Sequence, residues 1–119
     1  MDNKFEHLRF DSKKDLPEPW YNYPVLSEYE TILIYTKGRD CLRSLIGQQD
    51  GYWVAGVDIH IGGSSTGFLP GRKWGYFATR DKALLWTLGY MLSSKNVTGE
   101  IKKSVLDKIE SVRQLSLFG

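Results

Sequence analysis

The sequence predicts an α+β domain: an antiparallel meander of three to four strands, covered by two C-terminal helices and preceded by an extended arm. Three observations carry this reading. Trp53, Ala55, Val57, Ile59 and Ile61 alternate at strict period two, which marks a strand with one face in the core. Asp50-Gly51 stands just before that run and is a pair suited to a two-residue hairpin. After Thr79 the period changes. Ala83, Leu84, Leu85, Trp86, Leu88, Met91 and Leu92, then Ile101, Val105, Ile109 and Val112, recur at the three- and four-residue steps of amphipathic helices.

Taken in order, residues 1–28 form the extended N-terminal arm. Pro17, Pro19 and Pro24 interleave with Trp20, Tyr21 and Tyr23, so donors are missing, helix is disfavoured, and the aromatic rings are expected to clamp the arm onto the domain. A short helical turn fits around Phe5 to Phe10. Residues 29–113 make the single α+β domain. Tyr29 to Thr36 reads as a strand, rich in β-branched and aromatic residues and closed by Lys37-Gly38. Arg39 to Ile46 reads two ways. Leu42 with Ile46 and Cys41 with Leu45 have helical spacing, whereas a run this short between turn signals suits a strand, which we favour. Gln48 to Gly51 is a turn. In the strand that follows, Val54, Gly56, Asp58 and His60 fall on the face away from the core, expected to be at least partly wet.

Gly62 to Gly75 carries five glycines, Pro70 and Ser64-Ser65-Thr66, and reads as one long loop. Trp74 to Phe77 is expected to form a short last strand. Thr79 then caps the first helix, with Asp81 in its first turn. Thr98 caps the second, whose outer side carries Lys102, Lys103, Lys108 and Arg113.

Composition narrows the function. A chain of 119 residues and 13.7 kDa builds one modest core. Its 41% hydrophobic and 25% charged content argues against disorder, and a net charge of +2 permits nucleic-acid contact without demanding it. The 13% aromatic share suggests a core of large side chains or stacking surfaces. Cys41 is alone, which excludes an internal disulfide and a cysteine metal site. The first residues lack a signal-peptide pattern and no apolar run is long enough to span a bilayer, so a cytoplasmic location and no membrane partner are expected.

Several constellations could carry chemistry. Asp58, His60, Ser64 and Ser65 suggest a nucleophile with its base and acid, but strand neighbours side by side are not expected to supply relay geometry, and a solvated strand face explains them as well. The glycine-rich loop lacks the strand-loop-helix order and the Gly-Lys-Ser/Thr ending of a phosphate cradle. Arg72, Lys73 and Trp74 place two cations beside an indole, a workable contact to a nucleic-acid strand. His7, His60 and Cys41 share no ligand spacing, so neither a metal nor a cofactor is expected.

Residues 114–119, the C-terminal peptide, stand apart. Leu115, Leu117 and Phe118 are near-alternating apolar residues that either complete the core or meet a partner. Gln114, Leu115, Ser116, Leu117 and Phe118 match every position of a pentapeptide with which bacterial replication and repair proteins hold the ring-shaped sliding clamp. The segment resembles the clamp-binding ends of translesion polymerases, replication-initiation regulators and mismatch-repair proteins. That resemblance implies that Gln114 enters one sub-pocket and Leu117-Phe118 the deeper apolar one, as an extended peptide whose side chains are exposed in the free protein. The alternative is that the second helix simply continues, so that Leu115 and Phe118 finish the core. The run Phe77-Ala78-Thr79-Arg80-Asp81-Lys82-Ala83 also resembles a strand-to-helix turn in small proteins of bacterial plasmids, conjugative elements and phages, a group that implies no activity.

The expected function is therefore a non-enzymatic accessory protein of DNA replication or repair, docked on the bacterial sliding clamp, with DNA as a possible second partner through Arg72, Lys73 and Trp74. The alternative is a stand-alone nucleic-acid-binding or anti-defence module whose tail is only packing. A small enzyme using Asp58 and His60 comes third.

Overall fold

The structure, a computed structural model, describes residues 3–118, the last three by backbone alone. Four strands, β1 (Glu30–Lys37), β2 (Asp40–Gln49), β3 (Tyr52–Ile61) and β4 (Ser64–Phe68), pair in chain order as an antiparallel meander. Two helices follow, α1 (Arg80–Leu92) and α2 (Gly99–Phe118). Both pack on one face of the sheet, α1 on β2 and β3, and α2 on β1 and α1.

The segment with two readings is a strand. In β2, Leu42, Ser44 and Ile46 lie opposite Ile59, Val57 and Ala55 of β3, and all six are buried beneath the helices. Period two wins because β3 offers a ladder on one side and β1 on the other, pairing that an isolated i, i+4 pattern cannot outweigh. The buried Ser44 hydroxyl is satisfied by Thr87 of α1 at 2.8 Å.

The glycine-rich stretch is shorter as a loop than its composition suggests. Gly62 and Gly63, at φ 60° and 83°, form a second tight hairpin like Asp50 and Gly51, at 55° and 84°. The chain then returns along β3 as β4. Ser64 to Gly67 are all exposed, so this edge strand shows no apolar alternation and reads as loop. The expected last strand at Trp74 to Phe77 is replaced by a 3-10 turn at Arg72–Trp74, followed by single bridges from Tyr76 to Phe10 and from Phe77 to Trp53. The arm occupies the place where a longer pairing would form.

The outer face of β3 is also drier than its pattern suggests. Asp58 and His60 are half-exposed, but Val54 and Gly56 are buried. A Cβ on Gly56 would collide with the backbone of Phe68, Leu69 and Pro70, which pass directly over it. The amide of Leu26 in turn donates to the Pro70 carbonyl at 2.8 Å, so the arm holds this cover down.

Thr79 caps α1 as expected, its hydroxyl accepting from the Lys82 amide at 3.1 Å. At α2 the Thr98 backbone carbonyl receives the amides of Ile101 and Lys102, at 3.1 and 3.3 Å. Val105, Ile109 and Val112 are buried on α2, with Ile101 half-buried at its start. Glu100 anchors that start to β1 by accepting from Tyr35 Oη at 3.0 Å and Lys37 Nζ at 3.1 Å.

The arm enters the core rather than lying on it. Phe5 is only 4% exposed and joins the central cluster. It sits on Gly89 of α1, where any Cβ would strike the side chains of Asn3 and Phe5. Asn3 Nδ2 donates to the Trp86 carbonyl at 2.9 Å, and Trp86 Nε1 donates to Glu6 at 3.0 Å. The helical turn near Phe5 is the 3-10 turn Glu6–Leu8, and a second one forms at Trp20–Asn22.

Candidate functional site

The segment Gln114 to Phe118 continues α2 instead of forming an extended peptide. No proline or glycine interrupts the run from Glu100 to Phe118, so helix propagation costs less than a turn would. Among the described side chains, the buried stripe of α2 has its last member at Val112. Gln114 is exposed and Leu115 is 69% exposed, so Leu115 does not complete the core. The side chains of Ser116, Leu117 and Phe118, and with them the expected exposure of the two apolar anchors, lie outside the described residues.

Arg72, Lys73 and Trp74 sit together on the 3-10 turn but do different work. Arg72 is 7% exposed and faces inward, a correction to the reading of two free cations. Its guanidinium donates to Asp50 at 3.0 Å and lies 4.7 Å from the Tyr52 ring, with Tyr23 and Tyr76 each at 5.9 Å. Its amide donates to Gln49 at 2.7 Å. Asp50 also takes a short hydrogen bond from the Tyr23 hydroxyl. That bond first, and the Arg72 bond second, hold the Asp50 carboxyl below the ordinary carboxylate range, while the same Asp50 bond raises the Tyr23 phenol. Arg72 thus fastens the arm and the 3-10 turn to the β2–β3 hairpin.

Lys73 and Trp74 face a cleft that the sequence did not single out. A cavity of about 400 Å³ lies between the 3-10 turn and the arm, with Arg9, Phe10, Lys13, Lys73, Trp74 and Gly75 in its wall beside Glu6 and Asp11. Arg9 donates to the Trp74 carbonyl at 3.1 Å and pairs closely with Glu6. Lys13 Nζ stands 4.5 Å over the Trp20 ring, and Lys73 Nζ stands 5.3 Å over the Trp74 ring. Trp74 packs against Trp20 and Phe68, and Phe68 against Trp86 and Tyr90, so a chain of rings runs from the surface to the core. Phe10, in the cleft wall, and Trp20 and Tyr21, outside it, remain exposed. The interleaving of prolines and aromatics in the arm was the available signal for this surface. Its partner, 52 to 65 residues downstream, was not.

The outer sheet face holds a relay that neighbour spacing on one strand did not suggest. His60 Nδ1 meets Ser65 Oγ at 2.7 Å, His60 Nε2 meets Asp58 at 2.6 Å, and Arg43 donates to Asp58 at 3.0 Å. Ser65 reaches His60 because β4 pairs the two residues directly across the ladder. The expectation that relay geometry would be missing is therefore corrected. The imidazole and the Asp58 carboxylate keep 40% and 34% of their side-chain surface in contact with solvent. The groove of about 460 Å³ beside them is walled by Arg43 and Asp58 but by neither His60 nor Ser65. As built, the relay ties β2, β3 and β4 together.

The strand-to-helix motif has a structural account. Phe77 is buried and hydrogen-bonded to Trp53, Thr79 is the cap, Arg80 grips Glu30 with two hydrogen bonds of 3.0 and 2.6 Å, and Ala83 is buried under the sheet. The chain matches no protein-family model, no curated protein and no solved structure. Among the described residues, no group of three or more His, Cys, Asp or Glu side chains is placed to hold a metal ion, and no helix is long and apolar enough to cross a membrane.

Proposed function

We propose that the protein is a non-enzymatic accessory of DNA replication or repair that docks on the bacterial sliding clamp through Gln114 to Phe118. One observation carries the reading: Gln114 to Phe118 reproduce the clamp peptide in full, and its first two residues, Gln114 and Leu115, are exposed. Docking as an extended strand requires the last turns of α2 to unwind. Terminal helical turns open at little cost, because few tertiary contacts oppose them. Burying Leu117 and Phe118 in clamp pockets contributes about 1.5–3 kcal/mol each before ordering costs, which suits reversible micromolar binding.

Helical continuation of α2 through Phe118 favours a second reading, in which the same residues form an ordinary helix end and the domain acts alone on nucleic acid. Titrating the labelled full chain with purified bacterial clamp separates the two. Micromolar binding that is lost on replacing Leu117 and Phe118 together by alanine supports docking. No binding at tens of micromolar clamp removes it.

A further inference from the structure

We propose that the cleft between the arm and the Arg72–Trp74 turn, with the exposed rings beside it, binds single-stranded nucleic acid, Phe10, Trp20 and Tyr21 stacking on bases and Lys13 and Lys73 meeting phosphates. The proposal stands on the domain's own residues and does not depend on docking by the tail.

The chemistry fits an unpaired strand. Phe10 is 47%, Trp20 38% and Tyr21 63% exposed, with Tyr29 at 37% and Tyr52 at 39%; the other described rings are half-buried or buried. Exposed aromatic faces among cations are the arrangement that binds single strands with little regard to sequence, since every base has a face to stack. In a duplex those faces are already taken by neighbouring bases, so a stacking surface selects against it. The cations are held ready rather than free to wander. Lys73 Nζ donates to the Tyr21 carbonyl at 3.2 Å and Lys13 Nζ lies over one face of Trp20, so both ammonium groups are held close to the exposed rings. The nearby acids are partly occupied: Glu6 holds Arg9 and Trp86, Asp11 accepts from the Lys13 amide at 3.0 Å, and Asp15 accepts from Tyr76.

The test is fluorescence anisotropy of the full chain with labelled oligo-dT and oligo-U of about 15 nucleotides, and with a duplex of the same length. Micromolar binding of either single strand at low salt is expected, weakened about tenfold or more on the duplex. Replacing Phe10 and Tyr21 together by alanine should weaken it by tenfold or more. Lys73→Ala should lower the salt slope by about 0.7. These positions are exposed or half-exposed, and an unchanged urea midpoint verifies that each variant folds. The Leu117→Ala, Phe118→Ala chain should bind the oligonucleotides unchanged, so failure here and failure of clamp docking are read separately. No anisotropy change at about 100 μM protein overturns the proposal. Equal affinity for duplex, or full binding by the Phe10→Ala, Tyr21→Ala chain, overturns it too.

Discussion

Phe5 in the opening stretch and Leu115 in the closing one sit opposite to what the composition around them suggests. The opening stretch is polar and proline-rich, yet Phe5 lies in the core and Asn3 and Glu6 are bonded to Trp86. The closing stretch is apolar, yet its first leucine is 69% exposed. Hydrophobicity supplies a driving force only where a complementary surface lies within reach. Gly89 offers Phe5 such a surface by lacking a side chain. Leu115 meets no such surface and stays exposed.

The contrast can be broken by substitution at each end. Phe5→Ala should have the largest effect, about 3–5 kcal/mol of stability, read as a drop in the urea midpoint. Proteolytic cleavage in residues 10–28 should rise with it. If the midpoint hardly moves, the arm is a surface strap rather than part of the core. Asp50→Asn probes the other anchor of the arm. The Asp50 carboxyl is held below its ordinary range, so its contribution is complete above that range and is lost as pH falls through the lowered value. The variant should therefore lose part of the stability at neutral pH and show a flatter acid limb below about pH 4, measured by urea unfolding across pH. An unchanged acid limb would show that Asp50 is not what ties the hairpin to the arm. Leu115→Ala should have the smallest effect on folding, within about 0.5 kcal/mol, while weakening clamp binding. A larger loss of stability would place Leu115 in a packed interface and erase the contrast.

The chemistry-bearing residues divide along the same line. Arg72 and Lys73 are adjacent and look equivalent in the sequence, but one is enclosed by three tyrosines and Asp50 and the other faces the cleft. On a 3-10 turn, successive side chains point about a third of a turn apart, and only the neighbours supplied by the arm and the β2–β3 hairpin decide which direction is inside. Likewise Ser65 was visible as a nucleophile, but its position opposite His60 depends on the Gly62-Gly63 hairpin setting the register of β4.

The sequence by itself determined the α+β class, the strand through Trp53 to Ile61, the Asp50-Gly51 hairpin, the Thr79 cap and the stripe of α2, because each is written in local period and turn chemistry. It also contained the clamp-like pentapeptide, whose role is a matter of partner and not of fold. Only the tertiary structure decided that the outer face of β3 is partly covered, that Phe5 enters the core, that Arg72 turns inward and that a cleft opens beside Lys73. All of these depend on contacts between segments far apart in the chain, and no local pattern encodes which distant segment will arrive to make them.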